Sequence, residues 1–188
     1  MTADTALTDA EIAGIAARID RPVVLVGLMG VGKSTVGRRL ASMLGCAFVD
    51  ADDEIESAAQ RSVAEIFSEF GEPYFRDGER RVIARLIAGN TGVIATGGGA
   101  FVDDETRALI LDRAIAVWID CDIDTLVERT SRRNTRPLLK SGDPRTILSD
   151  LLEAREPFYA QAHVRVQSED SPHADTARAI IEAIERWM

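Results

Sequence analysis

The sequence predicts an α/β fold, a parallel sheet with helices on both faces, and three observations predict it. Short apolar runs alternate along the chain with longer segments of helical period. The runs are apolar throughout, as strands covered on both faces require. A glycine-rich turn joins the first run to the helix after it.

The runs are Val23–Val26, Ala47–Val49, Val93–Ala95, Ile115–Ile119 and Val164–Val166. Val36, Leu40, Met43 and Leu44, spaced i, i+4, i+7, i+8, form one face of a helix between the first two. Ser62 with Glu65 opens another helix as a capping box. Tyr74 to Ala88 reads as a third helix, ending at Gly89-Asn90. Asp103 reads as the N-cap of a helix to Asp112, and a last helix carries Ala177, Ile180, Ile181, Ile184 and Trp187 on one stripe. Before the first strand, Thr8 and Glu11 form a capping box ahead of Ile12, Ile15 and Ile19, predicting a short helical extension. One stretch breaks the alternation: NTRPLLKSGDP, residues 134–144, reads as a loop or mobile flap. Trp118 and Trp187 read as core residues.

The chain has 188 residues, enough for one domain with a real core. It is 46% hydrophobic and 28% charged, a globular balance, with no apolar run near the ~20 residues of a membrane span. The N-terminal stretch lacks a basic region ahead of an apolar core, so no secretory signal is expected. Cys46 and Cys121 form neither a disulfide framework nor a CxxC site. Both read as buried small hydrophobes in a reducing, cytoplasmic protein. A net charge of −9 argues against a nucleic-acid partner. The charge is uneven, however. Arg129, Arg132, Arg133, Arg136, Lys140, Arg145 and Arg155 face only Asp143, Asp150 and Glu153 within one segment. That balance points to a small anionic ligand. His163 and His173 lack metal-ligand spacing and receive no role, and Arg132 and Arg133 read as solvated charge.

GLMGVGKS, Gly27 to Ser34, fits GxxxxGK[ST] in full. Its glycines let successive N–H groups point at phosphate oxygens, and the next helix adds the positive end of its dipole. Lys33 would reach the β- and γ-phosphates of a nucleotide, and Ser34 would coordinate Mg²⁺. An incidental glycine turn needs neither the strand before it nor the periodic helix after it. The motif alone does not name an acceptor. A regulatory GTPase would need NKxD, which is absent.

Asp50 and Asp52 follow the second run, where ligands of open α/β sheets bind. In extended chain they share a face. One can organise a metal and its waters, and the other can orient an acceptor hydroxyl and take its proton. Asp53, Glu54 and Glu56 read as a solvated acidic cluster. Gly97, Gly98 and Gly99 follow the third run and permit close backbone approach by a ligand. Arg76 and Glu79 are spaced to pair on a helix, either as a surface ion pair or as part of a pocket. Arg76 and Arg155 are candidates for gripping a carboxylate bidentately.

Together these pieces resemble the shikimate kinase family of the nucleoside-monophosphate-kinase-like P-loop group. The resemblance runs from about Val23 to Trp187. It rests on GLMGVGKSTVGRRLA, the Asp50-x-Asp52 pair, FRxxE at Phe75 to Glu79, TGGGA at Thr96 to Ala100, RPLL at Arg136 to Leu139 and RxPxY at Arg155 to Tyr159. It implies a three-layer fold with a five-stranded sheet in the order 2-3-1-4-5. Residues 21–188 would form a single kinase domain after an extension at 1–20, with substrate-binding helices in 53–90 and a lid at 132–145. It also implies transfer of the ATP γ-phosphate to the 3-hydroxyl of shikimate with Mg²⁺, a step toward chorismate and the aromatic amino acids. A cytoplasmic monomer is expected, binding shikimate and ATP.

By the family pattern Asp52 contacts the acceptor hydroxyls, as base or as orienting group. Lys33 and Arg136 act on the transferring phosphate. Gly30, Val31, Gly32, Lys33, Ser34, Thr35, Arg129 and Arg136 bind ATP, with Arg129 by the adenine. Arg76 and Arg155 hold the acceptor carboxylate, Gly97, Gly98 and Gly99 line its ring, and Glu79 supports the pocket. Ser34 holds the metal, with Asp50 in its outer shell. The chain departs from the pattern twice. Ala51 stands where Ser or Thr is common, and the acidic stretch Gln167 to Pro172 stands where the family often carries a basic residue near the adenine. Gluconate kinases, nucleoside monophosphate kinases and non-catalytic nucleotide-binding regulators share the phosphate loop and are the other readings.

Overall fold

The computed structural model describes residues 7–89, 92–132, 142–169 and 171–188. The elements run α1 (Asp9–Arg18), β1 (Val23–Val26), α2 (Lys33–Leu44), β2 (Phe48–Asp50), α3 (Ala51–Ala59), α4 (Val63–Ala88) and β3 (Val93–Ala95). A 3-10 turn (Ala100–Val102), α5 (Asp104–Arg113), β4 (Ile115–Asp120), α6 (Ile123–Ser131), α7 (Pro144–Tyr159), β5 (Val164–Gln167) and α8 (His173–Trp187) follow. The strands form one parallel sheet in the order β2-β3-β1-β4-β5, the order expected from the sequence.

Connection handedness explains the layers. The step from β1 to β2 runs one way across the sheet and the later steps run the other way. Right-handed crossovers therefore put α2 on one face and α4, α5 and α7 on the opposite face. Accordingly α8 and α1 pack beside α2, while α5 and α7 pack with α4 and the 3-10 turn. The central strands β1, β3 and β4 are buried along their whole length. Among the described residues no helix is long and apolar enough to cross a membrane.

Local chemistry sets the boundaries. Capping boxes open α1 at Thr8 and α4 at Ser62, and Asp103 caps α5. The long α4 is broken at Gly71 (φ 80°, ψ 172°) ahead of Pro73, which gives the two helical halves that the sequence signals separately. Ile12 and Ile15 are buried, so the extension adds to the core. Of the loop expected at 134–144 and the lid expected at 132–145, residues 133–141, Arg133 among them, lie outside the described residues, as does Asn90. The far end of both is corrected, because Asp143 caps α7 and Pro144 and Arg145 already belong to its first turn.

Four further expectations are corrected. Trp187 is 40% exposed, because it ends α8, and its ring lies tilted against His163 with centroids 4.8 Å apart. Cys46 is exposed beyond the end of α2, while Cys121 is buried. His163 has a structural use: its Nδ1 accepts a hydrogen bond from the Ala116 N–H at 3.0 Å. The acidic run after β2 is not merely solvated. Glu54 pairs with Arg85 at 2.6 Å, and Glu56 accepts from the Val63 N–H at 2.9 Å.

Candidate active site

The phosphate loop leaves buried β1 and opens α2 at Gly32, whose φ of 95° is one that side-chain-bearing residues rarely adopt. Gly32 makes no side-chain cap, so the first N–H groups of α2 remain available to an anion. Val31 is buried, Gly30 has φ 87°, and Thr35 is exposed in the first turn of the helix. Lys33 is almost buried, and its Nζ donates to the carbonyls of Gly27 at 2.7 Å and Leu28 at 2.8 Å. Its ammonium is thus held over the loop.

Ser34 Oγ donates to Asp50 Oδ2 at 2.5 Å. Asp50 Oδ1 accepts from the Asp52 N–H at 3.0 Å, which makes Asp50 the N-cap of α3. This corrects the reading of Asp50 and Asp52 as neighbours on one extended face. Asp52 lies in the first helical turn, because an aspartate at a strand end caps the helix that follows it. A hydroxyl and a carboxylate in contact are hard oxygen donors and suit Mg²⁺, which takes few protein ligands and keeps phosphate and water oxygens. Among the described residues no group of three or more His, Cys, Asp or Glu residues could hold a metal ion.

The glycine strip is fixed at its start by Thr96, which is buried and donates from both its N–H and its Oγ1 to the Leu25 carbonyl. A methyl group built on each glycine shows what surrounds the strip. At Gly97 it would lie 3.1 Å from Asp52 Oδ1 and 3.3 Å from Glu79 Oε1. At Gly98 it would lie 3.0 Å from Arg155 Nη1 and 3.5 Å from the Met29 backbone nitrogen in the phosphate loop. At Gly99 it would collide with the Arg76 guanidinium. The strip thus runs from two carboxyl groups at one end to two guanidinium groups at the other, alongside the phosphate loop.

Arg76 donates to Glu79 Oε2 at 2.5 Å and lies 3.4 Å from Glu72 Oε1. This is no surface pair, since Glu79 is only 1% exposed. Its Oε1 has no partner among the described residues and lies beside Gly97. Burial pushes Glu79 from an ordinary pKa of 4.5 to about 7, against the pull of Arg76. Asp52 is also pushed up, first by burial and then by the Asp50 charge, with Lys33 opposing. Among the described residues no carboxylate pairs with half-buried Arg155, so its charge is available to an anion.

Glu79 makes the apo protein's stability depend on pH. Its folded pKa is raised, so between about 4.5 and 7 the folded state holds more protons than the unfolded one. Stability therefore falls as pH rises through that window, by roughly 3 kcal/mol from this group. We expect Glu79→Gln to lose correspondingly less stability than wild type between pH 5 and pH 8 in urea unfolding. Superimposable pH profiles would rule out a buried, raised Glu79.

Arg129 reaches the other side of the phosphate loop. It donates to the Val31 carbonyl at 3.4 Å, to Ser168 Oγ at 3.2 Å and to the Glu169 carbonyl at 2.7 Å. The segment after β5, acidic in side chains, therefore meets this cation through a backbone carbonyl and a buried serine hydroxyl. Arg132 pairs with Glu128 on the surface. Arg136 lies outside the described residues.

Thr96 and Tyr159 hold the glycine strip, and Arg107 braces the 3-10 turn outside it, none of them with a strong signal in the local sequence. Thr96 anchors the strip and carried only the TGGGA match. Arg107 donates to the carbonyls of Phe101 at 3.2 Å and Val102 at 3.0 Å, and nothing in its sequence context marks it. Tyr159 donates to the Gly98 carbonyl at 2.5 Å, and its one signal was its place in RxPxY.

A phosphate loop beside a second polar strip, both at the carboxyl edge of a 2-3-1-4-5 sheet, defines the class: a P-loop kinase fold with an acceptor cleft. The profile of the shikimate kinase family matches residues 29–185, and the chain belongs to that family. A shikimate kinase of Novosphingobium aromaticivorans is 60% identical over 97% of this chain and 96% of its own length. That of Caulobacter vibrioides is 57% identical over 87% of this chain and 82% of its own. The solved structure of the Acinetobacter baumannii shikimate kinase in complex with shikimate superposes with a TM-score of 0.85 at 37% identity, covering 92% of this chain and 97% of that one.

Proposed function

We propose that the protein transfers the γ-phosphoryl group of ATP to the 3-hydroxyl of shikimate, giving shikimate 3-phosphate and ADP, on the route to chorismate. The observation that carries this reading is the polarity of the Gly97–Gly99 strip. An acceptor lying along it meets guanidinium groups at one end and carboxyl groups at the other. A ring acid with its carboxylate at Arg76 and Arg155 presents its hydroxyls to Asp52 and Glu79.

Phosphoryl transfer needs positioning and charge neutralisation more than covalent chemistry. In this reading Gly30, Val31, Gly32 and Thr35 cradle the ATP phosphates with backbone N–H groups, and Lys33 turns from the loop carbonyls to the β- and γ-oxygens. Ser34, with Asp50 behind it, holds Mg²⁺, which when bound neutralises developing charge on those oxygens. Asp52 accepts the proton of the attacking hydroxyl, the raised pKa bringing it nearer the working range of a general base. The unpartnered Glu79 Oε1 takes part in hydroxyl recognition. Arg129 faces the adenine side. Both clefts are built within one chain, in keeping with a monomer.

Arg136 belongs to a lid that closes over the phosphates and excludes water, which would otherwise take the phosphoryl group. Arg136→Ala is expected to lower kcat by 10²-fold or more, on the order of one lost charge at the transferring phosphate, with the shikimate Kd little changed. An unchanged kcat would refute the lid role. The acceptor itself is tested by following ADP release from Mg-ATP with shikimate, gluconate, AMP or no acceptor. Release only with shikimate is expected. Turnover with gluconate or AMP alone, or without any acceptor, overturns the proposal.

A further inference from the structure

The glycine strip is tied to α7 at two points, and only one of them is aimed at an acceptor. Arg155 and Tyr159 are four residues apart on α7, one turn, so both side chains lie on the same face of the helix. Both reach Gly98. Arg155 Nη1 lies 3.0 Å from where a Gly98 Cβ would stand, and the Tyr159 hydroxyl donates to the Gly98 carbonyl at 2.5 Å. The Tyr159 ring is fully buried against Trp118 of β4, with centroids 5.9 Å apart. Burial pushes its phenol above the ordinary value of 10, against the charge and hydrogen bond of Arg155, so the hydroxyl stays a donor at any working pH.

Among the described residues the Tyr159 bond is the one hydrogen bond to the Gly98–Gly99 peptide itself, within a turn that the Ala100 N–H closes onto the Gly97 carbonyl at 3.2 Å. Gly98 and Gly99 lack Cβ atoms, so the unit between them can rotate at little steric cost. In a trans peptide the C=O and the following N–H point in opposite directions. With the Gly98 carbonyl drawn to Tyr159, the Gly99 N–H points away from the core. Among the described residues it has no acceptor. Were the plane to flip, a carbonyl would face the cleft in place of this N–H and repel a carboxylate. Arg107 makes a second tie nearby. It donates to the carbonyls of the 3-10 turn and to Gln161 Oε1 at 3.2 Å, but makes no bond to Gly98.

We propose that Tyr159 is a positioning residue for acceptor recognition: it holds the Gly98–Gly99 peptide so that an N–H donor, and Arg155 beside it, face the acceptor's carboxylate. The inference rests on shikimate being the acceptor, and its test separates the two. Shikimate and ATP dissociation constants are measured by calorimetry on wild type, Tyr159→Phe and Arg107→Lys, with steady-state KM and kcat alongside. Tyr159→Phe removes the hydroxyl, which is both the donor to Gly98 and the partner of Arg155, and keeps the ring. The expected result is a shikimate Kd and KM raised about tenfold, the scale of one lost hydrogen bond to a charged group. The ATP Kd and the kcat at saturating shikimate should stay within twofold, and Arg107→Lys should leave the shikimate Kd within twofold. A lowered Tm with an unchanged shikimate Kd in Tyr159→Phe makes the bond merely structural and overturns the inference. Equal weakening by Arg107→Lys also overturns it, because the effect is then general loosening. Failure of wild type to bind shikimate sinks the proposed function instead.

Discussion

Asp52→Asn is expected to cut kcat by about 10²- to 10⁴-fold, the range over which a positioned general base contributes, while shikimate binding changes only a few-fold. The substitution keeps size and shape, and it replaces the charged, basic carboxylate oxygen with a neutral amide NH2 that can donate but cannot take a proton. Its location explains the size of the effect. Asp52 sits half-buried beside Gly97, within the fields of Asp50 and Lys33. Burial and the Asp50 charge raise its pKa above the ordinary carboxylate value, and Lys33 limits the rise. The sign for activity follows. The base works ionised, so kcat/KM falls as pH drops through the raised pKa, and Asp52→Asn abolishes that acid limb. An Asn variant that keeps kcat and the acid limb would make Asp52 an orienting group only. The same profile distinguishes Asp52 from Glu79, whose removal should move KM for shikimate more than kcat.

Arg155→Ala is expected to raise the shikimate KM by about 10²- to 10³-fold, with the ATP KM nearly unchanged. The estimate follows from losing a charge-assisted, desolvated contact, worth on the order of 2–5 kcal/mol when one partner of a buried pair is truncated. Arg155 should matter more than Arg76 for carboxylate affinity. Arg76 is already bonded to Glu79 and close to Glu72, whereas Arg155 pairs with no carboxylate among the described residues. An acceptor carboxylate therefore competes with Glu79 and Glu72 for Arg76, whereas at Arg155 it meets a guanidinium bonded to the neutral Tyr159 hydroxyl and to no carboxylate among the described residues. Arg155→Lys should recover little, because a point charge cannot reproduce the planar fork. A shikimate KM within threefold of wild type in Arg155→Ala would remove the guanidinium end of the strip from the account.

These effects trace back unevenly to the sequence. The strands were legible because apolar runs buried on both faces leave no alternation to misread, and β1, β3 and β4 are buried at every position. Caps were legible because Thr8, Ser62 and Asp103 satisfy backbone donors within three residues. The donor cradle was legible for the same reason: its glycines, lysine and serine are contiguous. The strand order and the acceptor roles came through the family resemblance. What stayed hidden depends on contacts between distant segments. Asp50 capping α3 could not be told from two extended aspartates without knowing where β2 ends. The burial of Glu79, and hence its raised pKa, depends on how α4 packs beside the strip. Tyr159 reaches a carbonyl 61 residues away, and Arg129 reaches a loop 40 residues on. No local pattern encodes such pairs.

The central claim is that the polarity of the Gly97–Gly99 strip delivers the γ-phosphate to one particular hydroxyl of a carboxylate-anchored ring. Its most direct test is phosphorus–proton correlation NMR on the product formed from Mg-ATP and shikimate. The expected product is a single phosphomonoester whose phosphorus couples to the proton on C3. Phosphate on a different hydroxyl, a mixture of positional isomers, or inorganic phosphate as the only new signal would contradict it.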